Sequence, residues 1–168
     1  MRSTPSRFIG AALLATSLPA LAANLSVVFV QPEKFTDAGY SRPFASERDR
    51  AEVQHDVEQH LRRLAERHLG SGDSLKIEVL DIDLAGHFEP FRFRGADVRV
   101  VRDVTPPRIK LRYTLSRDDR TVASAEEQVS DLNFLTSIGR YSSTDRLRYE
   151  KAMLDDWFEK RFGRRQRE

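Results

Sequence analysis

The chain of 168 residues contains no cysteine. Thiol nucleophiles, thiolate metal sites and disulfide exchange are excluded, while a domain of this size in an oxidising compartment needs no disulfide to fold. After Leu18 no apolar run approaches the ~20 residues that span a bilayer as a helix. No glycine-rich phosphate loop, no Gly-x-Ser-x-Gly elbow and no His-Glu-x-x-His zinc pattern occurs. No cofactor-binding motif is present either, so no cofactor and no metal are expected.

What is present begins with an address. Met1, Arg2 and Arg7 form a short positive start, Phe8 to Leu18 a brief apolar centre, and Ala20-Leu21-Ala22 an exit with small residues at the two positions a signal peptidase reads. Residues 1–22 are expected to be a cleavable signal peptide, cut after Ala22 or Ala23. No cysteine follows the apolar run, so no lipid anchor is expected, nor any membrane span. The expected location is the periplasm, with secretion the other outcome.

Cleavage changes the charge. The whole chain has 28 Lys and Arg against 26 Asp and Glu. Arg2 and Arg7 leave with the leader, so residues 23–168 carry 26 of each and are formally neutral. Nucleic-acid binding through the Arg108, Lys110 and Arg112 stripe or the Arg-rich tail from about Arg161 is correspondingly weak as a reading.

The remaining 146 residues are the size of one domain. Leu25 to Val30 reads as a buried strand. Ser46 caps a helix whose first turn carries Glu47 and Asp49, and Val53, Val57, Leu61, Leu64 and His68 recur on one face, with Gly70 placed to end it in the left-handed conformation. Leu75 to Leu84 is a strand whose apolar phase changes near Leu80 and Asp81, which fits either a bulge there or a strand buried on both faces. Phe88 to Phe93 is interrupted by Pro90, which favours an edge or short strand. Asp97 to Arg102, Arg108 to Ser116 and Thr121 to Ser130 complete the strands. A three-residue loop sets Leu115 against Ala123, Tyr113 against Ala125 and Ile109 against Val129, with Arg112 beside Glu126; a two-residue loop would bring Leu111 to Glu126. A helix from about Asp145 to Phe162 presents Leu147, Leu154, Trp157, Phe158 and Phe162 to the core. The order β-α-β-β-β-β-α, with room for an extra short strand, predicts an α+β two-layer sandwich. Its mainly antiparallel sheet has about five strands, with both helices on one face.

Four segments in this order carry a resemblance: FVQPEKFTD from Phe29 to Asp37, LKIEVLDIDLAG from Leu75 to Gly86, PRIKLRYTL from Pro107 to Leu115, and YEKAMLDDWF from Tyr149 to Phe158. Together they resemble a family of uncharacterised exported bacterial proteins, domain of unknown function 3016. The resemblance implies a Gram-negative source and an exported address. It brings no activity, cofactor or catalytic residue.

Two groups of residues are candidates for function. Asp81 and Asp83 share one strand face with His87 nearby in sequence, a set that could supply acid/base catalysis or hold a divalent ion in an exported hydrolase. The plainer reading pairs these acids with Arg92, Arg94 or Arg99. His55, His60 and His68 lack a shared ligating face and read as structural or surface residues. The two long loops, 32–45 and 131–144, carry Phe35, Tyr40, Phe44, Phe134, Arg140 and Tyr141, which either form a recognition surface or staple the loops to the core. The leading expectation is a non-catalytic binding or envelope-associated module that contacts a protein or cell-envelope ligand through these loops. The hydrolase is the alternative.

Overall fold

A four-stranded sheet in the order β1 (Asn24–Phe29), β2 (Asp73–Asp83), β5 (Arg108–Arg117) and β6 (Arg120–Ser130) forms one layer, and two helices cover one of its faces. The computed structural model describes residues 24–41, 45–91, 96–136, 141–142 and 144–163. The expected signal peptide, Phe44, Arg140 and the arginines of the tail beyond Gly163 lie outside the described residues. Strand β1 runs parallel to β2, as its crossover through helix α1 (Glu47–His68) requires. Strands β5 and β6 continue the sheet antiparallel, and helix α2 (Arg148–Phe162) closes the second layer. The α+β sandwich is the architecture the alternation patterns predict.

Helix α1 starts where a side chain can replace a missing backbone partner: the Ser46 hydroxyl accepts from the Asp49 N–H at 3.2 Å. Val53, Val57, Leu61 and Leu64 are all at most 1% exposed and meet Leu75, Ile77 and Val79 of β2 in one core. Each such side chain fully buried contributes ~1.5–3 kcal/mol, enough to fix which helix face turns inward. The helix ends differently from expectation. Leu69 terminates it in extended conformation, Gly70 donates its N–H to the Asp73 carboxylate at 2.8 Å, and the left-handed residue is Gly72 (φ 85°). Asp73 accepts the bond that a left-handed Gly70 would have redirected.

The phase change in β2 is a bulge. Val79 pairs with Leu111 and Asp81 with Lys110, so Leu80 is the extra residue and Ile82 rejoins the core face. The β5–β6 register places Leu115 against Ala123, Tyr113 against Ala125, Arg112 against Glu126 and Ile109 against Val129. The connection achieves this by another route. Asp118 and Asp119 form a two-residue turn with positive φ (47° and 63°), and a bulge at Val122 shifts the pairing by one. Positive φ at both turn residues matches the twist of the strands, so the tight turn and the core-facing register are satisfied together.

Strands β3 (His87–Phe91) and β4 (Ala96–Val100) pair only with each other and form a separate two-stranded ribbon. Pro90 has no N–H to offer a second neighbour, which suits a ribbon edge. The ribbon joins β2 through Gly86 (φ 81°), where an added Cβ would lie 2.6 Å from the Val100 carbonyl oxygen. Gly86→Ala is therefore expected to cost about 2 kcal/mol, read as a lower urea midpoint at unchanged slope; an unchanged midpoint would show that the turn relaxes.

Candidate functional site

The acids of β2 are engaged away from one another. Asp81 follows the bulge, and its carboxylate accepts the Thr36 N–H at 2.7 Å and the Thr36 hydroxyl at 2.8 Å. Asp83 takes Arg108 at 3.3 Å, and burial raises its pKa, helped by the nearby Asp37 and Asp81 charges against the pull of Arg108. His87 is exposed beyond the Gly86 turn. Asp81, Asp83 and His87 do not converge. Among the described residues no three His, Asp or Glu side chains are grouped to hold a metal ion. Arg99 turns to Asp37 at 2.9 Å rather than to either β2 acid.

The outer face of the sheet is a closed lattice of charges. Arg112 meets Glu78 and Glu126, Lys110 meets Glu126, and Lys76 meets Glu78. Lys110 and Arg112 of the basic stripe are thus each paired with an acid on a neighbouring strand.

The aromatic loops divide between stapling and lining. Phe134 is 1% exposed and sits edge-on to Tyr149 of α2, beside the main core, so this ring takes the stapling alternative and not a place on an exposed surface. Phe35 packs half-buried against the same core beside a short 3-10 turn, Pro32–Lys34. Tyr141 donates to Asp155 at 2.7 Å and meets the His60 ring edge-on. His60, 1% exposed, approaches the other Asp155 oxygen at 2.9 Å, so the second loop is tied to both helices. Burial raises the Asp155 pKa, but the bonds from His60 and Tyr141 outweigh it and hold the carboxyl low.

Tyr40 leads to a different environment. Its hydroxyl donates to Asp56 at 2.8 Å, and burial together with that bond raises the phenol pKa well above its usual range. The Arg146 guanidinium lies over its ring, 3.8 Å from the centroid. Between Tyr40, the Leu84–Ala85 segment that follows β2, Arg99 and the start of α2 opens a cleft of ≈ 240 Å³. Tyr149, Arg148 and Thr144 line it further. Asp145 at its rim accepts from Lys151 at 2.6 Å and from the Leu147 N–H, so that charge is already matched.

Glu150 belongs to this cleft and is 2% exposed. One carboxyl oxygen accepts the Ala85 N–H at 2.8 Å; the other, Oε2, has no hydrogen-bond partner among the described residues. Arg99 Nε is in the same condition. Burial raises the Glu150 pKa, opposed by its backbone bonds and by Arg99. A buried acid with an unused oxygen, behind a cleft walled by guanidinium groups, is the least ordinary chemistry in the molecule.

The family model described as "Protein of unknown function (DUF3016)" matches residues 23–160. The chain belongs to the DUF3016 family. No curated protein matches it. A crystal structure from Xanthomonas campestris, described as protein XCC0632 and assigned to family model DUF330, is similar at 16% identity. The match covers 88% of this chain and 83% of that one with a TM-score of 0.32, too low to support inference.

In this DUF3016 member, the residues that sequence reasoning passed over are Glu150 and Arg146; Arg99 was expected as a partner of the β2 acids and not at this cleft. Glu150 left a readable signal. It lies three residues after Leu147 and four before Leu154, on the stripe that α2 turns to the core. A carboxylate there has to find a buried partner or a cleft.

Proposed function

We propose that this DUF3016 chain is an exported, non-catalytic binding module of the bacterial envelope, which takes a small ligand in the cleft beside Tyr40. The observation that carries the reading is Glu150, buried at the cleft with one oxygen unpartnered. Export is supported by the positive-apolar-small pattern of residues 1–22 and by the matched region beginning at residue 23, one residue before β1. Among the described residues no helix is long and apolar enough to cross a membrane.

Two measurements test it. Full-chain protein expressed with a C-terminal tag in a Gram-negative host is expected in the osmotic-shock fraction, with its N-terminus at Ala23 or Asn24; an intact, cytoplasmic product overturns export. Small-molecule extract of the envelope is expected to raise the melting temperature of the wild type but not of Tyr40→Ala. That substitution removes the Asp56 bond and the ring under Arg146. Equal shifts in both folded proteins would remove the cleft from the reading.

A further inference from the structure

The geometry points to a ligand class, on the footing that the cleft binds at all: we propose that it takes a hydroxylated organic anion of monosaccharide size, its carboxylate or phosphate held by Arg146 and a hydroxyl directed to Glu150. The sign of the charge comes from the walls. Arg99, Arg146 and Arg148 all line the cleft; Arg99 is paired with Asp37 and the acid Asp145 with Lys151, so Arg146 is the cation whose acid contact is weakest. An ammonium group would be repelled by the Arg146 guanidinium; an anion is attracted by it. Arg146 is held for the task. Stacking on Tyr40 fixes the plane of its fork, and its acid contact, Glu52, is a long one of 3.5 Å at the surface. A planar fork held in place suits a carboxylate or a phosphate.

The floor asks for a hydroxyl. Glu150 Oε2 is buried without a partner, a condition that native structures rarely leave unrelieved. A hydroxyl both donates and accepts, so it satisfies the carboxyl in either protonation state, which an ammonium cannot do. Size sets the limit. At ~30 Å³ for each displaced water, 240 Å³ corresponds to roughly eight waters, the scale of a sugar acid or sugar phosphate and too small for a nucleotide or a folded peptide.

The test titrates the protein purified from full-chain expression with D-glucuronate and with glucose 6-phosphate, using glucose (hydroxyls only) and propionate (anion only) as controls at constant ionic strength. At least one anionic sugar is expected to bind, and which one does so distinguishes carboxylate from phosphate. Arg146→Gln is expected to weaken that binding roughly ten- to hundredfold. Glu150→Gln, which keeps an acceptor for Ala85 and offers the hydroxyl an amide, is expected to stay within tenfold. Complete loss in a folded Glu150→Gln protein would mean that an ionised carboxylate meets a cation, and would overturn the assignment. So would glucose or propionate binding as well as the sugar anions. If both sugar anions fail while an envelope extract still stabilises the wild type and not Arg146→Gln, the class is wrong and the cleft stands. If no extract acts either, both fall.

Discussion

Arg99→Met is expected to lower the stability of the fold by about 3 kcal/mol, at the lower end of what removing one member of a buried ion pair costs. The ribbon β3–β4 should open first. Arg99 sits on β4 and spends its guanidinium in two directions. Nη1 donates to the carbonyls of Ala85 (3.3 Å) and Gly86 (3.0 Å), while Nη2 donates to the Asp37 carboxylate (2.9 Å) and the Gly39 carbonyl (2.7 Å). The same group lies 4.4 Å from the centre of the Phe88 ring on the paired strand. One side chain therefore fastens three segments: the ribbon, the turn that leads into it and the first long loop. Both members of the ion pair are less than a fifth exposed, so solvent cannot replace the lost donors at Asp37. Methionine restores much of the volume and none of the charge. Arg99→Lys should recover little, because a single ammonium cannot reach four acceptors on opposite sides. Urea unfolding gives the total, and amide exchange across residues 87–100 gives its location. A loss under about 1 kcal/mol, or ribbon amides protected as in the wild type, would show that Arg99 is not the fastening.

The division between what the sequence shows and what it conceals follows the distance over which each feature is determined. Helix α1 was legible because its cap, first-turn acids and apolar stripe are local. The Leu80 bulge was half legible: the change of phase is a local pattern, but it fits a strand buried on both faces as well, and the pairing with β5 decides between them. The β5–β6 register followed from neighbouring charges, although the turn that produces it is tighter than expected and is compensated at Val122. Asp81 and Arg99 were opaque. Their partners lie 45 residues away at Thr36, and 60 and 62 residues away at Gly39 and Asp37, and no periodicity encodes such pairings. The aromatics of the loops were visible as a set but not by role, since ring type alone does not separate Phe134, which packs edge-on to Tyr149, from Tyr40, which lines a cleft. Glu150 stands between these cases. Its position on the apolar stripe is written in the sequence, while the cleft that accounts for it requires the fold.

Glu150→Gln is expected to change the pH dependence of stability more than its magnitude at any one acidic pH. Burial raises the Glu150 pKa above its ordinary 4.5 in the folded protein. Below 4.5 the carboxyl is neutral in both states, and the wild type bears no charge penalty at this position. Above it the unfolded chain ionises first, unfolding releases a proton, and stability falls as pH rises, until Glu150 ionises within the fold. The penalty grows by ~1.4 kcal/mol per pH unit across that window. Glutamine has nearly the same shape, keeps an oxygen for the Ala85 N–H and cannot ionise. The variant is thus expected to match the wild type near pH 4.5 and to exceed it progressively as the pH rises, until Glu150 ionises within the fold. Asp155 and Asp145, whose pKa values stay low because bonds from His60 and Tyr141, and from Lys151 and Leu147, outweigh their burial, act on the other limb. Their stabilisation is present above about 3.8 and is lost as the pH falls through their folded values, in wild type and variant alike. Groups common to both proteins cancel in the difference, so urea unfolding of the pair from pH 4.5 to 8 isolates Glu150. A difference that stays flat with pH would mean that the carboxyl is already ionised in the fold, paired through its second oxygen, and that the cleft lacks the unfilled partner on which its binding role rests.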